Sequence, residues 1–477
     1  MIYDVAVIGA GVIGAHIARQ LSRYQIRAAL LERCNDVAMG TSKANSAIVH
    51  AGFDALPGTL KAKFNVEGTR LMPEVCRQLH IPYKNIGSLL IAFSEEERGV
   101  LEELRERGEE NGVPGLEIIG REQLLELEPN VSPEAVAALL APSAGIVCPF
   151  ELCSAAAESA VQNGVAFFRN FAVDKIDKTE KNVFNIYAGA QSVQARYIVN
   201  AAGVHCDEVA ALIGDNSLRT TARKGEYLLM DKSQNGLVKH VLFQCPNKMG
   251  KGVLVTPTVD GNILVGPSAA DVEDKEDLTT VAEALSGVYA RGCKSIPALS
   301  LREVITSFAG LRAHSDTDDF VIGPSGKHPR FYNVAGIESP GLSAAPAIAV
   351  HVAEELAEQA GFAVNESFVP ERREPVRFRE LTDAERLALI AKDKAYARIV
   401  CRCEMVTEGE IRDAIRAPAG AVDLDGVKRR TRSGAGRCQS GFCGPKVLEL
   451  LSKELDIPWE AVTKFGGESN VLVGKTK

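Results

Sequence analysis

The chain opens on a short apolar run rich in β-branched residues, Tyr3-Asp-Val-Ala-Val-Ile-Gly9. A glycine turn and a stretch of helical character from Ala10 to Ser22 follow, and Ile26 to Glu32 is apolar again. Strand, turn, helix and strand within about 30 residues make one βαβ unit. From about 95 to 128 the text is charged and helical, and acids follow Ser94 as they do at a helix start. Leu152 to Gln162 reads as another helix, leading into strand-like Ala166-Phe-Phe and Val173-Asp-Lys-Ile. Arg196 to Gly203 is a buried strand that ends in a small-residue turn. Between about 220 and 320 the pattern alternates, as in Glu226-Tyr-Leu-Leu-Met, Gly252-Val-Leu-Val-Thr and Asn262-Ile-Leu-Val-Gly, with turn signals such as Asp260-Gly261 between the runs. That alternation predicts an antiparallel sheet. Arg330 to Val352 returns to strand, glycine turn and Ala-rich helix. Beyond about 365 the composition becomes charged and proline-bearing (Pro370-Glu-Arg-Arg-Glu-Pro375), as in a linker, and a small terminal domain begins near 396.

The 477 residues, 46% hydrophobic and 24% charged, have an ordinary globular composition that excludes collagen, coiled coil and wholesale disorder. A net charge of −8 gives no general attraction to nucleic acid or anionic lipid. The apolar stretch from Val5 to Leu21 is broken by glycines, preceded by Asp4 and carries Arg19, so it is no signal peptide. Nothing else approaches the ~20 apolar residues of a spanning helix. Eleven cysteines, four of them crowded at the C-terminal end, suggest reduced thiols in a cytoplasmic protein together with a metal or redox site.

The turn after the first strand is Gly9-Ala-Gly11-Val12-Ile13-Gly14, and Glu32 ends the next strand 18 residues later, followed by Arg33. The first glycine permits the tight turn, the second lets a pyrophosphate approach the backbone, and the third lets helix pack on strand. The helix N-terminus offers N–H groups to phosphates, and the acid can accept both hydrogen bonds of a ribose diol. A bare glycine motif also occurs in structural turns; the strand, the helix and the acid at its expected offset point to a dinucleotide. Just beyond lies Thr41-Ser42-Lys-Ala-Asn45-Ser46-Ala-Ile-Val-His50-Ala-Gly52, small and hydroxylated where a flavin ring would lie. The last strand runs through Gly336 into Pro340-Gly341-Leu342 at the start of a helix, offering a further N-terminus.

Together these features resemble the FAD-dependent amine and hydroxy-acid oxidoreductases related to D-amino-acid oxidase, over roughly residues 1–360. The resemblance includes Val199-Asn-Ala-Ala202-Gly203, which looks like the family's second glycine contact with the cofactor, with Val173 grouped beside it. It implies an α/β fold. A doubly wound, Rossmann-like FAD domain (about 1–85, 147–220 and 325–365) would interleave with an antiparallel β-rich substrate domain (about 86–146 and 221–324). A linker at 366–395 and a small helical domain at 396–477 would follow. Only one such glycine motif is present, which argues against a flavin reductase with a separate NAD(P)H domain.

Cys401-Arg-Cys403 and Cys438-Gln-Ser-Gly-Phe-Cys443 are separated by 34 residues. Two close pairs brought together make a four-thiolate cage, suited to iron–sulfur or zinc. Zinc sites space each pair by roughly two to four residues, so C-x-C is tight for one zinc ion and suits loop ligands around an exposed 2Fe–2S cluster. The text between, Glu404-Met-Val-Thr-Glu-Gly-Glu-Ile and Asp425 to Arg437, resembles the bacterioferritin-associated-ferredoxin-like 2Fe–2S domain. That domain is found at the C-terminus of the catalytic subunit of anaerobic glycerol-3-phosphate dehydrogenases. The basic run Lys428-Arg-Arg-Thr-Arg432 then reads as charge compensation for the cluster, or as a docking face for an acidic partner, rather than as a nucleic-acid site.

Flavin beside iron–sulfur implies a dehydrogenase that passes electrons on singly. Its substrate would donate two electrons from a secondary alcohol or amine carbon while a base takes the proton. His50 is the first candidate base, because imidazole titrates near neutrality, and His314 is the alternative. Arg312 falls where the family's substrate-anion arginine does and can pair bidentately with carboxylate or phosphate. Lys224 is a candidate second cationic contact. The resemblance divides here. The terminal module looks like glycerol-3-phosphate dehydrogenase, whereas Asn45 to Phe53, Pro57 to Lys63 and Lys224-Gly-Glu-Tyr227 look closer to L-2-hydroxyglutarate dehydrogenases. Glycerol 3-phosphate is the leading expectation, then an L-2-hydroxy acid, then an amine or imino acid. A non-catalytic electron-transfer subunit would need a degenerate flavin cavity. The acceptor is expected to be a partner, either a second flavoprotein subunit or a small membrane-associated protein through which the chain would associate peripherally.

Overall fold

The computed structural model describes residues 1–180, 182–246 and 252–474. Strand β1 (Ile2–Ile8), helix α1 (Val12–Leu21) and strand β2 (Ala28–Leu31) form the expected unit, with β1 and β2 parallel. Every residue of β2 is buried, as a strand covered on both faces requires, and so it reads as an unbroken apolar run. The chain continues through α2 (Leu60–Leu79), α3 (Pro149–Gln162), β3 (Ala166–Phe168) and β4 (Gln191–Asn200). The long strands β5 (Thr220–Met230) and β6 (Val304–Ser315) come next, then β7 (Phe331–Ala335) and α4 (Gly341–Ala360).

The first sheet has eight strands, of which β3-β2-β1-β4-β7 form a parallel core. Lys175–Lys178 and Phe184–Ala188 extend it antiparallel beside β4, and Val321–Pro324 runs antiparallel to β7. Buried along its whole length, α1 packs against both α3 and α4. The strand order reverses between β1 and β4, and a doubly wound sheet binds its ligand in the crevice at such a switch point. The two strand ends meet there: a Cβ on Gly9 would lie 2.5 Å from the Ala201 carbonyl oxygen.

The second sheet has nine strands, and β5 pairs antiparallel with β6 along nearly its whole length. Its expected antiparallel order breaks at one seam, where Ser88–Ala92 and Val241–Gln244 run parallel. The two segments arrive from separate excursions out of the flavin-type domain, so no hairpin dictates their relative direction. The charged text from 95 to 128 is two helices, Glu95–Glu110 and Arg121–Leu127, separated by the edge strand Glu117–Gly120. Only Ile119 of that strand is fully buried, which leaves no alternation to read. The Ser94 hydroxyl caps the first helix by accepting from the Glu97 N–H.

Residues 366–395 lie against the larger domain. Arg372 bonds Glu158 at 2.9 Å, Arg377 bonds Glu151 at 2.7 Å, Phe378 is buried, and Asp383–Lys392 is a helix with a capping box. Two of the arginines in this linker-like segment, Arg372 and Arg377, are thus partners for acids of α3.

The terminal domain is a short hairpin, Ile399–Cys401 with Val406–Thr407, and three helices: α5 (Glu408–Arg416), α6 (Leu424–Thr431) and α7 (Gly444–Leu455). Its core gathers Ile411, Val427, Leu448 and Leu451. The basic run docks this domain onto its own chain. Arg429 and Arg430 reach the fully buried Asp36, just after β2, at 2.6 and 2.7 Å, and Arg432 reaches Asp260 and Glu404, each at 2.8 Å. The acidic face expected on a partner is therefore supplied internally. No described helix is long and apolar enough to cross a membrane.

Candidate active site

The glycine turn is shaped as its chemistry requires. Gly9 has φ +100°, and a Cβ on Gly14 would lie 1.9 Å from the Gly9 carbonyl oxygen. Gly11, the N-cap of α1, carries no capping side chain. The Ser42 hydroxyl accepts from the Val12 N–H at 2.9 Å and ties the 41–46 loop to the helix start. The Glu32 carboxylate accepts from the N–H groups of Ala10 (2.7 Å) and Cys34 (2.9 Å), and burial pushes its pKa up despite those bonds. Arg33 forms a two-pronged surface pair with Glu276 at 2.5 and 3.2 Å.

From this turn a cavity of about 1200 Å³ runs between the two sheets. Sites for single small ligands are ~300–1,000 Å³, so a dinucleotide with a small substrate beside it fits the space. Gly9, Gly11, Val12, Ile13, Glu32 and Arg33 line it, as do Thr41, Ser42, Asn45 and Ser46 of the following loop. Val173, Ala202, Gly203, Pro340, Gly341 and Leu342 complete the wall. Gly14 and Gly336 are not on that wall and act through backbone shape. Gly336 has φ +67°, and a Cβ there would lie 2.7 Å from the Ser315 Cβ.

The other end is built by β5 and β6. Side chains alternate along a strand, so Arg312 and His314 share a face with Arg223 and Tyr227. Arg312 lines the cavity, donates through Nη2 to the Ser268 carbonyl at 3.0 Å and keeps a buried Nε with no hydrogen-bond partner among the described residues. His314 stands behind the wall, its Nδ1 3.1 Å from Glu338 Oε1. Lys224 is not brought into the site. One position beyond Arg223 it points to the opposite face of β5, 5% exposed, and pairs with Asp277 at 2.7 Å.

His50 lies on the wall. Its N–H donates to Ser343 Oγ at 2.8 Å, and its carbonyl accepts from Asn65 (3.1 Å) and Thr69 (2.7 Å), so α4 and α2 clamp the backbone. The ring sits 5.6 Å from that of Phe243, and Nε2 is 3.5 Å from Ser339 Oγ. The sequence did not single out Lys61 and Glu338. They also line the cavity and pair at 2.8 Å. Burial acts to raise the Glu338 carboxyl, but Lys61 and His314 outweigh it and hold the group below its ordinary range. Tyr227, stacked on Phe308 at 4.9 Å, is a further wall residue whose burial pushes its phenol up.

In the terminal domain Cys401 and Cys443 are buried, Cys438 is half-buried and Cys403 is exposed. The sulfurs of Cys403 and Cys438 are 3.6 Å apart. Hydrogen bonding from the Cys401 thiol, helped by Ser433 and Ser440 and opposed by burial, holds Cys443 below the ordinary thiol range. The thiols thus form an outer and an inner pair. One zinc ion with Zn–S near 2.3 Å would need all four sulfurs within about 3.8 Å of one another. Among the described residues no group of three or more His, Cys, Asp or Glu side chains is placed to hold a single metal ion. Two pairs suit two irons that each take two thiolates, as in a 2Fe–2S cluster. Gly436 is needed for the close approach, since a Cβ there would lie 2.4 Å from that of Cys403.

Comparison with known proteins identifies both parts of the chain. Residues 4–355 match the FAD dependent oxidoreductase (DAO) family, and residues 399–453 match the BFD-like 2Fe–2S binding domain. The chain is 47% identical over 476 residues to a glycerol 3-phosphate dehydrogenase of Caloramator mitchellensis, covering 100% of this chain and 99% of that protein. It is 28% identical over 418 residues to an L-2-hydroxyglutarate dehydrogenase of Nematostella vectensis, covering 75% and 91%. Among solved structures, the FAD-bound, dithionite-reduced L-alpha-glycerophosphate oxidase of Mycoplasma pneumoniae matches with a TM-score of 0.75 and 33% identity, over 78% of this chain and 98% of that one. An enzyme cavity with its cofactor cradle intact sets aside the reading as a bare electron-transfer subunit. The chain belongs to the FAD dependent oxidoreductase family, with FAD and a C-terminal 2Fe–2S cluster as its cofactors.

Proposed function

We propose that the chain is a dehydrogenase that oxidises the secondary alcohol of sn-glycerol 3-phosphate to dihydroxyacetone phosphate and delivers the electrons to a partner protein. The observation that carries this reading is the end-to-end relationship with the Caloramator protein, which spans the oxidoreductase part and the cysteine module together at 47% identity. When bound, FAD supplies the hydride acceptor and the 2Fe–2S cluster an exit for single electrons.

The chain's own residues have the remaining work. Arg312 holds the substrate phosphate through its guanidinium fork and so fixes the alcohol carbon. His50 takes the hydroxyl proton at Nε2, with Ser339 steadying the ring. The Glu338–Lys61–His314 group closes the wall behind them; His314, held off the cavity by Glu338 and Asp318, supports that wall rather than serving as the base. Gly9 to Gly14, Glu32, the 41–46 loop and the start of α4 cradle the dinucleotide, and Cys401, Cys403, Cys438 and Cys443 hold the cluster. Residues 1–365 are read as the catalytic unit and 396–477 as the cluster unit. The acceptor is a second flavoprotein subunit or a small membrane-associated protein.

The relatives named L-2-hydroxyglutarate dehydrogenase favour a second reading, an L-2-hydroxy acid held by the same arginine. Turnover with an artificial one-electron acceptor separates the two. Dihydroxyacetone phosphate formed from glycerol 3-phosphate, with no 2-oxoglutarate formed from L-2-hydroxyglutarate, supports the first reading; the reverse pattern replaces it with the second.

A further inference from the structure

Strands β5 and β6 set two arginines directly opposite one another. Arg223 is in register with Arg312 on one side and with Asp271, on the short strand Ala270–Val272, on the other. Residues in register on antiparallel neighbours point to the same face, and all three line the cavity. Like charges so opposed weaken a sheet unless an anion lies between them. Asp271 satisfies one of the two: Arg223 Nε and Nη2 reach its carboxylate oxygens at 2.6 and 3.2 Å. Arg312 has no carboxylate partner among the described residues. Its Nη2 holds only the Ser268 carbonyl, and its buried Nε is unspent. The Asp271 side chain is 53% exposed, so its pair with Arg223 is a surface ion pair of small net worth, and water can hydrate the carboxylate when it leaves.

We propose that Arg223 is a second, exchangeable substrate cation: it leaves Asp271 for the phosphate of the substrate and thereby selects a phosphate group over a carboxylate. The inference rests on the glycerol 3-phosphate reading and names what would enforce it. A carboxylate presents two coplanar oxygens, which one guanidinium fork satisfies. To recruit Arg223 as well, it would have to displace the equally charged carboxylate of Asp271. A phosphomonoester carries about −1.5 to −2 charge and three acceptor oxygens, so it can bridge two forks that approach from adjacent strands. Asp271 then acts as a placeholder that only the more highly charged group displaces.

The test uses the holoenzyme and its Arg223→Met and Asp271→Asn variants. It measures kcat and KM for glycerol 3-phosphate, and competitive inhibition by inorganic phosphate and by acetate. Arg223→Met should raise KM and the phosphate inhibition constant together by about ten- to a hundredfold, the loss of one charge-assisted contact, with kcat within a few-fold and acetate unaffected. Asp271→Asn removes only the placeholder and should lower both constants severalfold, which also guards against a folding defect in the first variant. The proposal is overturned if neither variant moves the phosphate constant, or if Arg223→Met weakens phosphate and acetate alike. Failure of the parent reading looks different: the wild-type enzyme would turn over L-2-hydroxyglutarate but not glycerol 3-phosphate. If inorganic phosphate also failed to compete there, Arg223 would lose its role too.

Discussion

Replacing Asp36 with alanine should loosen the terminal domain from the flavin domain while leaving both cofactor sites chemically intact. Asp36 lies just after β2, fully buried, and bonds Arg429 at 2.6 Å and Arg430 at 2.7 Å. Arg430 would keep the carbonyls of Gly426 and Ala419, and Glu158 at 3.6 Å. Arg429, 7% exposed, would lose its only carboxylate partner among the described residues. Removing one side of a buried pair costs about 3–5 kcal/mol, so undocking should become about a hundred- to a few thousandfold more frequent. Amide hydrogen exchange of α6 in the holoenzyme reads this directly, with Asp36→Asn as a variant of matched size. Acid gives an independent check. Burial opposes ionisation of Asp36, yet Arg430 and Arg429 hold its carboxyl far below the ordinary range. A group whose folded value lies below its unfolded value, about 3.9 for Asp, stabilises fully above that pH and loses its contribution as pH falls further. Wild-type protection of α6 should therefore decline below about pH 4, and the Asn variant should lack that decline. Unchanged exchange in both variants, or wild-type protection indifferent to acid, would refute this description of the docking.

Arg312→Ala should raise KM for glycerol 3-phosphate by about a hundredfold or more while FAD stays bound, whereas Lys224→Met, on the other face of β5, should leave KM alone and lower only thermal stability. Steady-state kinetics beside a flavin-content assay checks both. Cys401→Ser should spare reduction of the flavin by substrate and slow transfer to an external one-electron acceptor. A collapse of flavin reduction itself would mean that the two sites are not separable. Gly14→Ala places a Cβ 1.9 Å from the Gly9 carbonyl oxygen, so the turn must open and the purified protein should carry little FAD; full flavin occupancy would show that the cradle tolerates the shift.

What could be read in advance depended on how far apart the partners lie in the chain. The cradle was legible because its turn, helix and acid fall within one short run, Gly9 to Glu32. The cysteine pairs were legible because ligand spacing is itself local. Lys61 and Glu338 are 277 residues apart, and nothing near either distinguishes it from a solvated charge. The basic run at 428–432 left two readings open, because its partner Asp36 lies 393 residues from Arg429. The parallel seam between Ser88–Ala92 and Val241–Gln244 was hidden for the same reason. Lys224 is a different case. Parity along Lys224-Gly-Glu-Tyr227 already sets the lysine and the tyrosine on opposite faces of a strand, so Tyr227 in the cavity wall entails Lys224 outside it.

The most direct measurement is an anaerobic titration of the purified holoenzyme, following the visible flavin band, first with glycerol 3-phosphate and then with L-2-hydroxyglutarate. Glycerol 3-phosphate should bleach the band in proportion to the amount added, and L-2-hydroxyglutarate should leave it unchanged. Bleaching by L-2-hydroxyglutarate alone, or by neither compound while dithionite reduces the flavin fully, would contradict the substrate proposed for this enzyme.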